Sequence, residues 1–324
     1  MTTITYAKGL HDLGNGCYAW LQPDGGWGLS NSGLVTGSDA SLLIDTLYDL
    51  ASTREMLDGI AVLTDRHPIA TVVNTHSDGD HYFGNQLVVG DGVQIIASQA
   101  AAELMTQESV EEMAAVTQLS GALGDLARKF FGSFDFEGIV STGPTRMFTD
   151  HEQIDVGGRE VRLIEVGPAH TPGDTLVHVP DAKTLYAGDI LFIGGTPIVW
   201  AGPPQRWVDA CDLILDLDLR VIVPGHGPVT DKRGVHEVRE YLSYIIVEAT
   251  KRFDDGLSLD SAIESLGQGK YAAMPEHSRI VQNVVSVYQT LDPEITLSRL
   301  EVFERIAALE GIGTHGKVNN PCAG

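Results

Sequence analysis

The stretch Thr75-His76-Ser77-Asp78-Gly79-Asp80-His81-Tyr82-Phe83-Gly84 places two imidazoles and two carboxylates within six residues. It follows the apolar run Ile69–Val73, which reads as a buried strand, so the cluster stands where a strand ends and the chain turns. Strand ends hold side chains more rigidly than free loops do, and a metal or catalytic site needs that rigidity. Crowded carboxylates and imidazoles repel or compete unless a cation holds them. His76, Asp78, Asp80 and His81 are therefore read as the start of a metal site. Four such groups on one turn cannot all reach one ion, so two adjacent ions suit them better. Each divalent ion needs three or more protein ligands and an open position for water or substrate.

Three later turns supply the missing groups. His170 lies in Gly167-Pro168-Ala169-His170-Thr171-Pro172-Gly173-Asp174, Asp189 in Gly188-Asp189, and His226 in Pro224-Gly225-His226-Gly227-Pro228. Each turn ends a β-rich run, and a carboxylate can bridge two ions through its two oxygens. Alone, His170 or His226 would be an ordinary histidine and Asp189 a turn residue. Together, in this order on strand ends, they complete a metal constellation. His11, His67, His151, His178, His236 and His315 lack such a context and are read as ordinary residues.

The elements that must position this set are legible in outline. Strands are expected at Gly16–Leu21, Gly33–Thr36, Ser41–Asp45, Ile69–Asn74 and Gln94–Ala97, and a helix over Thr53–Leu63. Ser98–Ala127, rich in Ala, Glu, Met and Leu, is expected to form two inserted helices whose apolar stripe packs, or lids a pocket. Strands resume at Glu152–Ile154 and Glu160–Val166 about the hairpin turn Gly157-Gly158, then at Leu176–Val179, Thr184–Ala187 and Arg220–Val223. From Val235 the chain reads as helical, over Val235–Phe253, Ser258–Leu266, His277–Leu291 and Ile295–Ala308. The expected organisation is a core over 1–234 with a helical insertion at about 98–131, a helical region over 235–310 and a frayed tail over 311–324.

With 21 basic against 44 acidic residues the formal net charge is -23, which opposes nucleic-acid and anionic-membrane partners. No apolar stretch approaches the length of a membrane span, and the N-terminus lacks a signal pattern, so a cytoplasmic protein is expected. Cys17, Cys211 and Cys322 are odd in number and far apart, which fits reduced thiols rather than a disulfide framework.

Taken together, His76-x-Asp78-x-Asp80-His81, His170 in His-Thr-Pro-Gly, Gly188-Asp189, and His226 in Pro-Gly-His-Gly resemble the signature of the metallo-β-lactamase-fold hydrolases. The resemblance covers roughly residues 15 to 230. It implies an α/β fold: an αββα four-layer sandwich of the metallo-β-lactamase type with the site at one edge, here with an added C-terminal helical region. It also implies two divalent metal ions, zinc by family. His76, Asp78 and His170 would hold one ion, Asp80, His81 and His226 the other, and Asp189 would bridge them. A hydroxide between the ions would be the nucleophile, and Asp80 is taken as a catalytic residue as well as a ligand.

One residue departs from the pattern, because the family usually has His where Asp78 stands. A third carboxylate weakens the first ion as a Lewis acid, and an oxygen donor shifts preference toward iron or manganese. A carboxylate here resembles the flavodiiron branch, which has Glu at this position, although no flavodoxin domain is evident. The expected activity is hydrolysis of a small-molecule ester, lactone, thioester or amide, with a di-iron oxidase or oxygenase as the alternative. A non-catalytic binding module would not need seven metal ligands. Trp27, Asn31, Tyr82 and Trp200 lie beside strand-end loops and are candidate pocket residues, and His277 and Arg279 could reach its mouth from a C-terminal helix. The C-terminal helices could also pair two subunits into a homo-oligomer.

Overall fold

The structure, a computed structural model, describes residues 4–313. The expected frayed tail, with His315 and Cys322, therefore lies from residue 314 onward outside the described residues.

The first sheet has seven strands in chain order: β1 (Gly9–Gly14), β2 (Cys17–Leu21), β3 (Ser32–Thr36), β4 (Ser41–Ile44), β5 (Ile69–Val73), β6 (Gln94–Ser98) and β7 (Arg146–Phe148). It is antiparallel as far as β4 and parallel from β4 to β7. The second sheet comprises β8 (His151–Val156), β9 (Arg159–Glu165), β10 (Thr175–Val179), β11 (Thr184–Tyr186) and β12 (Val221–Val223), with β11 and β12 parallel.

Strand alternation sorts the apolar side chains into layers. Val35, Leu42, Ile44, Val73 and Ile96 of the first sheet meet Val161, Leu163, Val177, Tyr186 and Val223 of the second. Their neighbours Leu34, Leu43, Val72 and Ile95 face the other way, onto Met56 and Ile60 of α1 (Leu50–Thr64). On the outer side of the second sheet, Leu176, Leu185 and Ile222 share a core with Trp207 and Ile214 of α6 (Pro204–Asp216) and Val235 and Val238 of α7 (Lys232–Asp254). The result is the expected four-layer αββα order.

Some elements depart from expectation. β1, β7 and α6 were not anticipated. The insertion forms three helices rather than two: α3 (Gln99–Ala102), α4 (Gln107–Val116) and α5 (Gly121–Phe131). The break after α3 is capped at Thr106, whose hydroxyl accepts from the Ser109 amide. The metal motif is not a simple turn either, because Gly79–Tyr82 winds into one helical turn, α2.

Beyond α7 come α8 (Leu259–Gly267), α9 (Ile280–Leu291) and α10 (Arg299–Leu309). α9 is almost wholly buried, and α8, α9 and α10 contribute to the same hydrophobic core as α6 and α7. The C-terminal helices thus spend their apolar faces within the chain. Among the described residues no helix is long and apolar enough to cross a membrane.

Candidate metal centre

Every group in the set leaves a strand end at one edge of the sandwich. Past β5, Asp78 keeps an extended backbone (φ -73°, ψ 141°) and α2 then folds Asp80 and His81 back toward it. Asp189 follows β11 in a short 3₁₀ turn, Gly188–Ile190, anchored where Trp207 Nε1 of α6 donates to Ile190 O at 2.9 Å. His226 follows β12. The two sheets are stitched together here by the Thr175 amide donating to Thr75 O at 2.8 Å and the Asn31 amide donating to Gly225 O at 2.7 Å.

Two glycines allow the close approach. Gly188 has φ +50° and lies against Thr75, and a Cβ at Gly225 would stand 1.9 Å from Asp189 Oδ1. Gly225→Ala is therefore expected to displace Asp189 and weaken cation binding by about 10–100-fold, the range typical of disturbed ligand support. Metal content after dialysis checks this, and unchanged content would show that the Asp189 position is not critical.

The side chains converge. Three groups offer ligand atoms within 4.8 Å of one another: His76, Asp78 and His170; His76, His81 and Asp189; and Asp80, His81 and His226. His170 Nε2 lies 3.2 Å from Asp78 Oδ2 and 3.3 Å from Asp189 Oδ2. His226 Nε2 lies 3.3 Å from Asp80 Oδ2 and 3.4 Å from Asp189 Oδ2. His76 Nε2 approaches Asp189 Oδ2 at 3.8 Å. Asp189 thus stands between two half-sites, facing all four imidazoles. His76 Nε2, His81 Nε2 and Asp189 Oδ1 are buried without a hydrogen-bond partner, although His81 Nε2 is only 3.1 Å from Asp189 Oδ1. Buried polar atoms are normally satisfied, so three such atoms aimed at one point fit a cation. Imidazole nitrogen and carboxylate oxygen are the donors a divalent first-row ion takes.

The electrostatics hold the three carboxylates ionised and His76 neutral, while His170 carries a proton that a bound cation would displace. Burial opposes ionisation of Asp78, Asp80 and Asp189, yet the facing imidazoles prevail and hold all three below the usual carboxylate range. Burial, helped by His81, pushes His76 down to about 3, leaving it neutral. Burial also opposes charge on His170, but its hydrogen bond to Asp78 and the Asp189 carboxylate lift it to about 9.

A second layer fixes the rings. His170 Nδ1 donates to Ile198 O at 2.7 Å, so Nε2 presents its lone pair to the site. His81 Nδ1 bonds Asp45 Oδ2 at 2.9 Å, and Asp45 also accepts from the Thr75 amide at 2.7 Å and from Thr75 Oγ1 at 2.8 Å. Asp45 was not anticipated as a site residue, although the same signal, a buried strand ending in a carboxylate, marks it at the end of β4.

A cavity of about 800 Å³ opens onto Asp78, Asp80, His170, Asp189 and His226. Trp27, Trp200 and Arg279 line it. Three other candidates are placed elsewhere. Asn31 is buried beneath the His226 loop, where Nδ2 donates to Pro224 O (3.0 Å) and Gly227 O (2.9 Å), so it braces that loop. Tyr82 is fully buried, its ring packed on Phe83. His277 lines a separate cavity of about 500 Å³.

The family model of the metallo-beta-lactamase superfamily matches residues 25–226. The chain belongs to this superfamily. Several curated proteins and solved structures are similar to it. The acyl-coenzyme A thioesterase MBLAC2 of Bos taurus is 30% identical over 239 residues, 66% of this chain and 79% of that protein. The 2,4-dinitroanisole O-demethylase subunit alpha of Nocardioides sp. is 24% identical over 198 residues, 59% of this chain and 51% of that one. The sec-alkylsulfatase Pisa1 from Pseudomonas sp. superposes with a TM-score of 0.67 at 19% identity, covering 87% of this chain and 50% of the sulfatase. A metallo-beta-lactamase from Pontibacter korlensis does so with a TM-score of 0.55 at 20% identity, covering 72% and 98%. At such identities the structural likeness shows the fold alone. The chain spans about half the length of the O-demethylase subunit and of the alkylsulfatase. Helices α7 to α10 lie beyond the superfamily match.

Proposed function

We propose that the chain is a metal-dependent hydrolase of a small-molecule ester, lactone, thioester or amide. His76, Asp78 and His170 would hold one divalent ion, Asp80, His81 and His226 a second, and Asp189 would lie between them. The observation that carries this reading is the convergence of His76 Nε2, His81 Nε2 and Asp189 Oδ1, buried and unpartnered, at the edge of a cavity large enough for a drug-sized molecule.

Bound there, divalent ions supply Lewis acidity for the substrate carbonyl and acidify a water. The chain's own residues do the rest. Asp80, at the cavity wall beside His226, orients the attacking water, and we assign it that catalytic role. His170, fixed by Ile198 O, keeps its donor nitrogen directed inward, and the apolar wall excludes bulk water. The name of one curated relative supports hydrolysis, since it is a thioesterase. The net charge of -23 suits a small-molecule partner rather than a polyanion. A core over 1–234 followed by a helical region remains our division of the chain, and any homo-oligomer would use the exposed side of those helices.

A second reading, a di-iron oxidase or oxygenase, rests on Asp78, whose oxygen donor favours harder ions. Metal analysis of protein purified without added metal, paired with ester and thioester turnover, separates the two. Two divalent ions per chain are expected, with turnover lost on chelation and restored by adding ions back. Two irons with oxygen-dependent optical changes and no ester turnover would overturn the hydrolase.

A further inference from the structure

Arg279 closes a 3₁₀ turn, His277–Arg279, that leads into α9. It is only 2% exposed. Its guanidinium lies 4.4 Å from the centre of the Trp27 ring and 5.1 Å from that of Phe192. Nη1 donates to Thr196 O at 2.9 Å, while Nε is buried with no partner. None of the ion pairs among the described residues includes it. Glu276, Asp189 and Asp80 act on it through space, but none forms an ion pair with it, and a guanidinium buried without a direct anionic contact is unfavourable.

Its position gives that charge a use. Phe192 stacks on the His226 ring at 5.0 Å and 2°, and the same Phe192 ring carries the Arg279 guanidinium at 5.1 Å. The guanidinium is therefore one aromatic ring away from a candidate ligand, on the wall of the same cavity. The same cavity is lined by apolar side chains, Met113 and Val116 of α4, Leu123 and Phe131 of α5, and Leu300 and Phe303 of α10, with the exposed Glu112 of α4 as a further carboxylate. Arg299, the other cation on the cavity, is exposed and leans on Trp200 at its mouth. The cavity thus combines donor groups for ions, many apolar side chains and one desolvated guanidinium among its lining.

We propose that Arg279 is the anion-recognition residue of this pocket, and that the substrate is amphiphilic. A carboxylate or sulfate would pair with Arg279 while an apolar body lies along α4, α5 and α10. This rests on the hydrolase reading for the identity of the scissile bond, but the pairing itself can be measured without turnover. Fork geometry suits a guanidinium to either oxyanion, and a desolvated pair of this kind discriminates more strongly than an exposed one.

The test titrates metal-loaded protein with decanoate, decyl sulfate and the neutral decanamide, reading the fluorescence of Trp27 beneath the guanidinium. Arg279→Gln, Arg279→Met and Arg279→Lys are compared, with thermal unfolding of each. The wild type should bind at least one anion about tenfold or more tighter than the amide, a preference typical of charge-assisted pairing. Arg279→Gln or Arg279→Met should erase the preference while leaving amide affinity nearly unchanged, and Arg279→Lys should restore part of it. Preference for decanoate or for decyl sulfate separates carboxylate from sulfate. Equal binding of anion and amide by the wild type overturns the proposal, even if the variants do not fold. So does a preference that survives in Arg279→Gln or vanishes with chelator, since ions would then hold the anion. Equal weakening of all ligands in the variants would make Arg279 a structural strut.

Discussion

Asp189→Asn is expected to lower kcat/KM for ester hydrolysis by at least about a thousandfold, because the Lewis-acid contribution it supports is several kcal/mol and each 1.36 kcal/mol is tenfold. Its two oxygens meet His81 at 3.1 Å, His170 at 3.3 Å and His226 at 3.4 Å, so it serves both half-sites at once. Asparagine keeps the size that the Gly225 contact demands but removes the charge that offsets the cations. Metal content should fall together with activity, while unfolding in the absence of ions should stay cooperative. A variant that keeps two ions and turns over within about tenfold of wild type would remove the bridging role, since that loss is only about 1.4 kcal/mol.

Asp45→Asn should act one layer out. Asp45 makes no approach to the cavity, yet it accepts from the Thr75 amide and hydroxyl and pairs with His81 Nδ1. An amide in its place must turn its NH₂ toward one of these donors, leaving a buried donor unsatisfied at a cost of about 1–3 kcal/mol. His81 then loses the partner that fixes its tautomer, and affinity at its half-site should fall about 10–100-fold, as is usual when such support is removed. Competition with a chromophoric chelator measures the affinity and a thermal melt the stability. If both match wild type, the orienting role fails.

The sequence reveals the candidate ligands because each follows an apolar strand directly and sits among Gly and Pro, so local pattern and chemistry coincide. It reveals Asp45 poorly for the opposite reason. One aspartate after a strand is consistent with a turn, a cap or a brace, and only the His81 contact chooses among them. Asn31 and Tyr82 were placed near the pocket by proximity along the chain, but sequence does not say which way a side chain faces. Asn31 turns beneath the His226 loop, and Tyr82 is drawn into the aromatic core by Phe83. β1 and β7 lie at the two edges of the first sheet, and β7 is only three residues long, too short for alternation to register. α6 does carry helical spacing at Trp207, Val208, Cys211 and Ile214, a pattern hidden between the more conspicuous Asp189 and His226 turns. From sequence Arg279 is no more than a pocket-mouth candidate, because its burial against Trp27 depends on how the segment before α9 docks.

The stitch between the sheets has a kinetic corollary. His81 follows β5 of the first sheet and Asp189 follows β11 of the second, and they meet where the Thr175–Thr75 and Asn31–Gly225 hydrogen bonds tie the sheet edges together. No short stretch of the chain carries the complete donor set, and bringing groups so distant in sequence together costs loop-closure entropy before any contact offsets it. Cations would then be captured by the finished sandwich rather than by its early intermediates. Because they bind the folded state, they would slow its opening, acting as a clasp on the fold as well as a tool for chemistry.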